Sequence, residues 1–168
     1  MLLLSSMMLA VLAVFSQVSL PLPLVPANLA LLAVFLAGFI LPRRFALVSV
    51  GGYLLMGALG LPVFAGFRGG PQALFGPTGG YLLGYFLACV VVALLKHRAD
   101  TVPARFLVCL LALLACYIPG TLWLSHLTGR ALVQAVPLAV LPFIPGDLLK
   151  CLLAAWTAPR LARAAKTG

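Results

Sequence analysis

The sequence has 168 residues, of which 64% are hydrophobic and 8% are charged, and its mean hydropathy is +1.22. Soluble domains carry about a quarter charged residues, so this composition excludes a soluble protein and predicts an integral membrane protein. The net charge of +9 comes from basic residues between the apolar segments, a pattern typical of membrane proteins and not of nucleic-acid-binding proteins.

Apolar segments of roughly bilayer-spanning length predict an all-α fold, a polytopic bundle of six transmembrane helices. The predicted helices cover residues 2–19, 28–41, 45–59, 80–95, 103–125 and 131–161. The first segment lacks the basic residues that begin a signal peptide, so we expect it to be retained in the mature protein. Short connectors take up the remaining length, so residues 1–168 are predicted to form a single integral membrane domain.

Prolines and glycines mark the irregular parts of this bundle. A stiff, extended connector is predicted after the first helix, at Pro21, Pro23 and Pro26. The last helix is predicted to be kinked, because it is interrupted by Pro137, Pro142 and Pro145-Gly146. Residues 61–79 form the longest irregular segment, and a glycine-rich loop of this length in a compact protein is usually functional.

The distribution of basic residues predicts the orientation of the chain. One side of the predicted bundle holds both termini and most of the basic residues: Arg43, Arg44, Lys96, Arg98, Arg105, Arg160, Arg163 and Lys166. The other side holds Arg68 and Arg130. By the positive-inside rule both termini are predicted to be cytoplasmic, so the loop at 61–79 is expected to face outward.

Asp147 and Lys150 are the strongest candidates for a functional site. Asp100 and Asp147 are the acidic residues of the chain, and Asp147 lies inside an apolar segment. At helical spacing, positions 147 and 150 share a face. Asp147 is alternatively a helix N-cap, but a lysine in the first turn opposes the helix dipole. Ionisable groups inside a membrane and interrupted helices both mark substrate sites in transporters.

Other residues admit structural as well as functional interpretations. Gln17 and Asn28 are interpreted either as ligand contacts or as an interhelical hydrogen bond and an N-cap, respectively. The ridge Gly76, Gly80, Gly84 and Ala88 predicts close helix packing. Interface anchoring is the interpretation for Tyr53, Tyr81, Tyr85 and Trp123. The four cysteines are interpreted as small apolar packing residues. No metal-binding cluster and no catalytic constellation besides Asp147 and Lys150 is visible, and no phosphate-binding glycine motif appears.

Three segments resemble the BioY family, the biotin-binding S components of energy-coupling factor (ECF) transporters. They are Gly60-Leu-Pro-Val-Phe-Ala-Gly-Phe67, Gly76-Pro-Thr-Gly-Gly-Tyr-Leu82 and Pro142-Phe-Ile-Pro-Gly-Asp-Leu-Leu-Lys150. The segment from Gln17 to Pro26 is also similar to the first connector of that family, and the resemblance covers residues 8–161. One segment differs, because Asn28-Leu-Ala-Leu-Leu32 stands where the family usually has Thr-Leu-Gln-Thr-Leu.

The resemblance implies high-affinity biotin capture from outside and uptake across the bacterial inner membrane, with no enzymatic activity and no cofactor. It also implies a transmembrane coupling protein and two ATPase subunits as partners in the lipid bilayer. The expected substrate-binding residues are Asp147, Lys150, Tyr81, Thr78, Gly79, Phe64, Asn28 and Gln17. Phe67 is an alternative to Phe64 as the aromatic cover of the ligand. Contact with the coupling protein is expected at the small residues of the first helix, Ser6 and Ala10.

Alternatives to biotin capture remain open at this level. The chain is alternatively an S component for another small vitamin, or a biotin transporter that works without an ATPase module. An intramembrane enzyme would use Asp147 and Lys150 as acid and base, and a purely structural subunit would use them to lock the last helix.

Overall fold

The computed structural model describes residues 1–20 and 25–167, without the side chains of residues 139, 166 and 167. Its described residues are mostly helical, which confirms the predicted all-α class. Eight α-helices are described: α1 Leu2–Gln17, α2 Ala30–Ile40, α3 Arg43–Ala58, α4 Pro71–Phe75, α5 Gly79–Leu95, α6 Val102–Thr128, α7 Leu132–Ala139 and α8 Ile144–Thr167. A 3-10 turn, Lys96–Arg98, follows α5.

Two helical segments, Gly79–Arg98 and Val102–Thr128, are long and apolar enough to cross a membrane by length and composition. The helices α1 and α2 are apolar but shorter, with 16 and 11 residues. Leucines and valines cover the outside of the bundle, among them Leu3, Leu55 and Val133, which is the surface a protein has when lipid is its solvent. The count of six spanning helices stays a prediction.

The described ends of the first connector are short extended strands. Two short antiparallel strands, β1 (Ser19–Leu20) and β2 (Ala27–Asn28), pair Ser19 with Asn28 and Leu20 with Ala27. The chain therefore turns back on itself after α1. The predicted extended residues Pro21 and Pro23 lie outside the described residues.

The last predicted helix, residues 131–161, is divided into α7 and α8 by a turn at residues 140–143. From the sequence we expect the helix to restart at Asp147, whereas α8 begins at Ile144. Pro145 and Gly146 are accommodated in its first turn, where the missing amide of a proline is not needed by the helix. Asp147 therefore lies inside the helix and does not precede it.

The closest helix pairing in the described bundle joins α5 to α6, and small residues allow it. A Cβ atom at Gly84 would lie 2.7 Å from the carbonyl oxygen of Cys116, and one at Gly80 would lie 2.5 Å from that of Pro119. The predicted packing ridge is thus observed at these glycines and at the fully buried Ala88. Gly76 lies outside it, because α5 begins at Gly79.

The segment between α3 and α5 is ordered by a hairpin and a short helix. Phe64 and Arg68 exchange backbone hydrogen bonds of 2.9 and 3.2 Å, and Gly66 and Phe67 turn the chain with φ angles of 71° and 56°. The helix α4, which the sequence analysis did not predict, begins with Pro71 after Gly70. We call residues 61–70 the outer loop; it packs over the end of the bundle where α2 and α5 begin.

Candidate substrate site

Asp147 and Lys150 face the same way from the first two turns of α8, as their spacing predicts. The ammonium of Lys150 donates to Asp147 Oδ1 at 2.5 Å, and the hydroxyl of Tyr117, on α6, donates to Asp147 Oδ2 at 2.5 Å. Only 5% of Asp147 and 8% of Lys150 are exposed. The backbone N–H of Asp147 donates to Phe143 O, as it does inside a helix, and the carboxylate of Asp147 accepts from Lys150 and Tyr117. Asp147 is therefore not the N-cap of α8.

A cavity, here called the pair cavity, lies against this ion pair. About 40 Å³ of it is open to water-sized molecules. Its lining combines the ion pair and the amide of Asn28 with aromatic and apolar side chains: Val25, Pro26, Ala27, Leu31, Tyr81, Tyr85, Cys116, Tyr117 and Phe143. Such a lining, apolar with a few converging polar groups, is typical of a small-molecule site.

A second cavity, the loop cavity, continues from the first toward the outer loop, and about 30 Å³ of it is open to water-sized molecules. The two cavities share Val25, Pro26, Asn28, Tyr81 and Tyr85. The residues that line only the loop cavity include Tyr53, Phe64, Arg68, Ala73 and Thr78. The two cavities are therefore neighbours that share a wall, and the ion pair lines the first while Arg68 lines the second.

Asn28 lines both cavities, and the two ends of its side-chain amide have different roles. Its Oδ1 accepts from the backbone N–H of Ala30 at 3.0 Å and from the hydroxyl of Tyr85 at 3.1 Å. Because a backbone N–H can only donate, the atom that faces Ala30 is the oxygen, and the amide NH₂ points away from it. No protein acceptor for that NH₂ is found in the described part of the chain. Leu29 is the N-cap of α2, so the N-cap interpretation of Asn28 is wrong, but Asn28 still accepts from the first N–H of that helix. It also has a donor at the cavity wall.

Tyr81, Thr78 and Phe64 also lie at the predicted site. Tyr81 lines both cavities, while Thr78 lines the loop cavity and donates to Ala73 O at 3.2 Å. Phe64 is 3% exposed and meets Tyr53 edge to face, with 5.4 Å between the ring centroids. Phe64 therefore occupies the covering position, whereas Phe67 is 73% exposed and lines neither cavity.

Gly79 and Gln17 lie outside the lining of both cavities. The N–H of Gly79 donates to Gly76 O at 3.0 Å, and a Cβ there would collide with Leu74 O at 1.6 Å. Gly79 thus serves close backbone packing. The amide NH₂ of Gln17 donates to Val63 O and Phe64 O, and its Oε1 accepts from Phe67 N at 2.9 Å. Gln17 therefore holds the outer loop against α1, a role close to the interhelical bond weighed from the sequence.

Ser6 and Ala10 are both exposed on one face of α1, next to Met7. The hydroxyl of Ser6 donates to Leu2 O within the helix, at 3.2 Å. This hydrogen bond leaves a smooth exposed face, which a partner helix could approach closely.

Some residues of the site were not predicted as ligand contacts. Tyr53 and Tyr85 were interpreted only as interface anchors, and Tyr81 was interpreted both as an anchor and as a substrate-binding residue. All three are buried, so the anchor interpretation is wrong for them. Tyr117 was not singled out at all. A tyrosine inside an apolar helix needs a hydrogen-bond partner for its hydroxyl, and this requirement could have identified Tyr117 from the sequence.

Comparisons with known proteins show the family of the chain. The profile of the BioY family matches residues 1–167. The chain is 36% identical over 152 residues to the biotin transporter BioY of Thermotoga maritima, covering 90% of this chain and 89% of the relative. It is 38% identical over 152 residues to the probable biotin transporter BioY of Pyrococcus horikoshii, covering 90% of both.

A solved structure has the same fold. The S-component for biotin from an ECF-type ABC transporter superposes with a TM-score of 0.88 at 27% sequence identity, covering 96% of this chain and 90% of the solved one. The resemblance that the three segments carry is therefore confirmed, and the chain belongs to the BioY family.

Proposed function

We propose that this chain captures biotin with high affinity and takes it up across the bacterial inner membrane, as the substrate-binding S component of an ECF-type transporter. One observation carries the proposal: a chain of the BioY family places a buried Asp147–Lys150 pair at the end of a mostly apolar cavity. The relatives named as biotin transporters support the choice of ligand. No catalytic step is assigned to the pair.

The charge of the pair favours the ureido end of biotin as its partner. Asp147 and Lys150 together are neutral, so they cannot compensate a further buried carboxylate. A ureido group is itself neutral and has both N–H donors and a carbonyl acceptor. In this assignment its N–H groups donate to Asp147 and Lys150 donates to its carbonyl. The bicyclic body of biotin then contacts the ring faces of Tyr81 and Phe64.

The carboxylate of biotin is assigned to Arg68, which lines the loop cavity on the side of the outer loop. Arg68 is exposed, its backbone is fixed by the hairpin with Phe64, and it has no carboxylate partner in the described residues. This assignment predicts different effects of one substitution on the binding of biotin and of its neutral amide. Replacing Arg68 by Gln should lower the affinity for biotin about tenfold and leave the affinity for the neutral biotin amide unchanged. Equal losses for the two ligands would place the carboxylate elsewhere.

Ligand entry requires the cover of the site to move. The open space in each cavity is far below the roughly 300 Å³ of a small ligand site. Two described segments cover it, residues 25–28 and the outer loop. The outer loop is held by side-chain hydrogen bonds from the end of α1, by the hydrogen bond from Gly70 N to Gly57 O and by the packing of Phe64 on α3. None of these contacts is a hydrogen bond within a helix, so their loss leaves the helices themselves intact. We assign it the role of the lid.

The partners follow from the same assignment. The chain has no phosphate-binding glycine motif, so in this proposal ATPase subunits supply the energy for uptake through a transmembrane coupling protein. The exposed face of α1 with Ser6 and Ala10 is the proposed contact with the coupling protein. The distribution of basic residues supports a cytoplasmic location for both termini.

Titration of the purified chain with biotin tests the proposal directly. Trp123 reports on the outer loop region, since its indole N–H donates to Gly76 O at 2.9 Å. A saturable fluorescence change with biotin, and none with thiamine or riboflavin, is expected. Lys150→Ala should abolish the change while the protein is still produced in the membrane. A stronger response to another vitamin would assign the chain to that vitamin instead.

Uptake of labelled biotin in cells shows whether the chain transports biotin with an ATPase module or without one. Cells that produce the chain with a coupling protein and two ATPase subunits are compared with cells that produce the chain alone. Uptake only in the first case supports the S-component role. Equal uptake in both would show that the chain works without an ATPase module.

A further inference from the structure

A large cavity lies at the end of the bundle opposite the candidate substrate site. The helices α2 and α5 begin beside the pair and loop cavities and end beside this one, which we call the basal cavity. About 670 Å³ of it is open to water-sized molecules, far more than at the substrate site. Nothing in the proposed function uses this space.

The lining of the basal cavity combines cations with apolar walls. Arg43, Lys96 and Arg105 line it, and the carboxylate in the lining is that of Asp100. The ammonium of Lys96 donates to the carbonyl oxygen of Leu41, and Arg105 Nη2 donates to that of Asp100 at 2.5 Å. Arg43 and Arg105 have no carboxylate within ion-pair distance among the described residues. The cavity therefore carries net positive charge.

The apolar part of the lining comes from three helices. Leu4 on α1, Phe39 on α2 and Ala162 on α8 are half-buried and face the cavity. A cavity for a small inorganic anion has no need of such walls. The combination of basic groups and apolar walls fits an amphiphile with an anionic head.

The neighbouring residues of α8 place the basal cavity at the depth of lipid headgroups. The indole of Trp156 is 55% exposed, and the guanidinium of Arg160 lies 4.2 Å from the centre of its ring. Exposed tryptophan and arginine pairs of this kind are typical of the membrane–water interface. Ala158 and Pro159, which lie between these two residues in the chain, line the cavity.

We propose that the basal cavity binds the phosphate of an anionic phospholipid, with Arg43 and Arg105 on the phosphate and the acyl chains against the apolar walls. Basic cavities between membrane helices on the basic side of a protein are suited to such headgroups. An acidic segment of a partner protein would use the same cations but would not need the apolar walls, so the lining favours the lipid.

Native mass spectrometry of the purified chain in detergent tests this site. We compare the dissociation constants of phosphatidylglycerol and phosphatidylcholine for the unmodified chain. Phosphatidylglycerol is expected to bind at least tenfold more tightly, because its headgroup is anionic while phosphatidylcholine is neutral overall. Equal affinities of the unmodified chain for the two lipids would overturn the proposal, whatever the variants show.

The residues are tested with variants that keep the substrate site intact. Each arginine near a phosphate contributes about a fivefold affinity, so Arg43→Gln/Arg105→Gln should weaken phosphatidylglycerol binding about 30-fold. Arg130→Gln, an exposed arginine at the other end of the bundle, is the matched control and should change it less than twofold. Biotin titration of every variant checks the fold. Equal lipid affinity of the double variant and the control would overturn the assignment.

Two further results identify a different occupant. If inorganic phosphate stabilises the chain against thermal unfolding as well as phosphatidylglycerol at the same concentration, free phosphate is the ligand and the lipid proposal is wrong. If the double variant keeps lipid binding but no longer binds the coupling protein, the cations belong to a protein interface. That result would also contradict the proposal.

Discussion

Removing one charge of the buried pair should destabilise the chain strongly, and Lys150→Met is the sharpest way to do so. The side chain keeps its length and apolar stem but loses the ammonium that donates to Asp147 Oδ1. Breaking a buried ion pair costs about 3–5 kcal/mol, because the remaining charge is uncompensated. Tyr117 still donates to Asp147 Oδ2, so we expect the lower end, about 3 kcal/mol.

For a chain of this size, that loss corresponds to a fall in Tm of about 6–12 °C. Thermal unfolding in detergent, followed by tryptophan fluorescence, measures it, and Arg130→Met provides the control for losing an exposed cation. Surface changes of that kind usually alter stability by less than about 0.5 kcal/mol. The double variant Asp147→Asn/Lys150→Met should recover at least half of the lost Tm, since no uncompensated charge remains. Biotin binding should be absent in the single and the double variant.

Two results would refute this reasoning. If Lys150→Met and Arg130→Met lower the Tm equally, the pair does not behave as a buried one. If the double variant is less stable than Lys150→Met alone, the uncompensated carboxylate is not the cause of the loss.

Three other substitutions probe the cover and the wall of the site. Gly57→Ala places a Cβ about 2.0 Å from the ring of Phe64, so it should displace that ring and lower biotin affinity about tenfold. The control is Gly51→Ala on the same helix, where the new Cβ makes only an ordinary contact. Equal biotin affinity of the two variants would contradict the expectation. Asn28→Asp keeps the acceptor for Ala30 but removes the amide donor, so biotin affinity should fall at least tenfold in a titration, and unchanged affinity would exclude that donor. Gln17→Leu removes the hydrogen bonds that hold the outer loop, so hydrogen exchange at the Phe67 amide should accelerate at least tenfold, whereas an unchanged rate would show that other contacts hold the loop.

Composition and local spacing were sufficient to predict the helical class and the central ion pair. Apolar segments of sufficient length become helices because the membrane leaves the backbone few alternatives. The spacing of Asp147 and Lys150 places both on one face of any helix, whatever surrounds it. The glycine ridge predicted close packing for a similar local reason, and Gly80 and Gly84 indeed meet the backbone of α6.

Contacts between distant parts of the chain were not predictable in this way. Tyr117 reaches Asp147 only because the packing of α6 against α8 brings that turn of α6 to the start of α8. Tyr85 donates to Asn28, and the ring of Tyr81 lies against Gly120 of α6, so both tyrosines are held by contacts with distant parts of the chain that no local pattern indicates. Gln17 was assigned to the ligand because its polarity was visible, while its partners in the outer loop lie far along the chain.

The helix α1 connects the outer loop with the proposed contact surface for the coupling protein. Ser16 Oγ and the Gln17 amide, at its last turn, both donate to the carbonyl of Val63 in the outer loop, and Ser6 and Ala10 lie on its exposed face two to three turns away. A helix of 16 residues behaves as a rod about 24 Å long. If the proposed coupling protein tilts this helix, the outer loop bonded to its last turn is displaced with it, which would link binding of that partner to opening of the cover over the site.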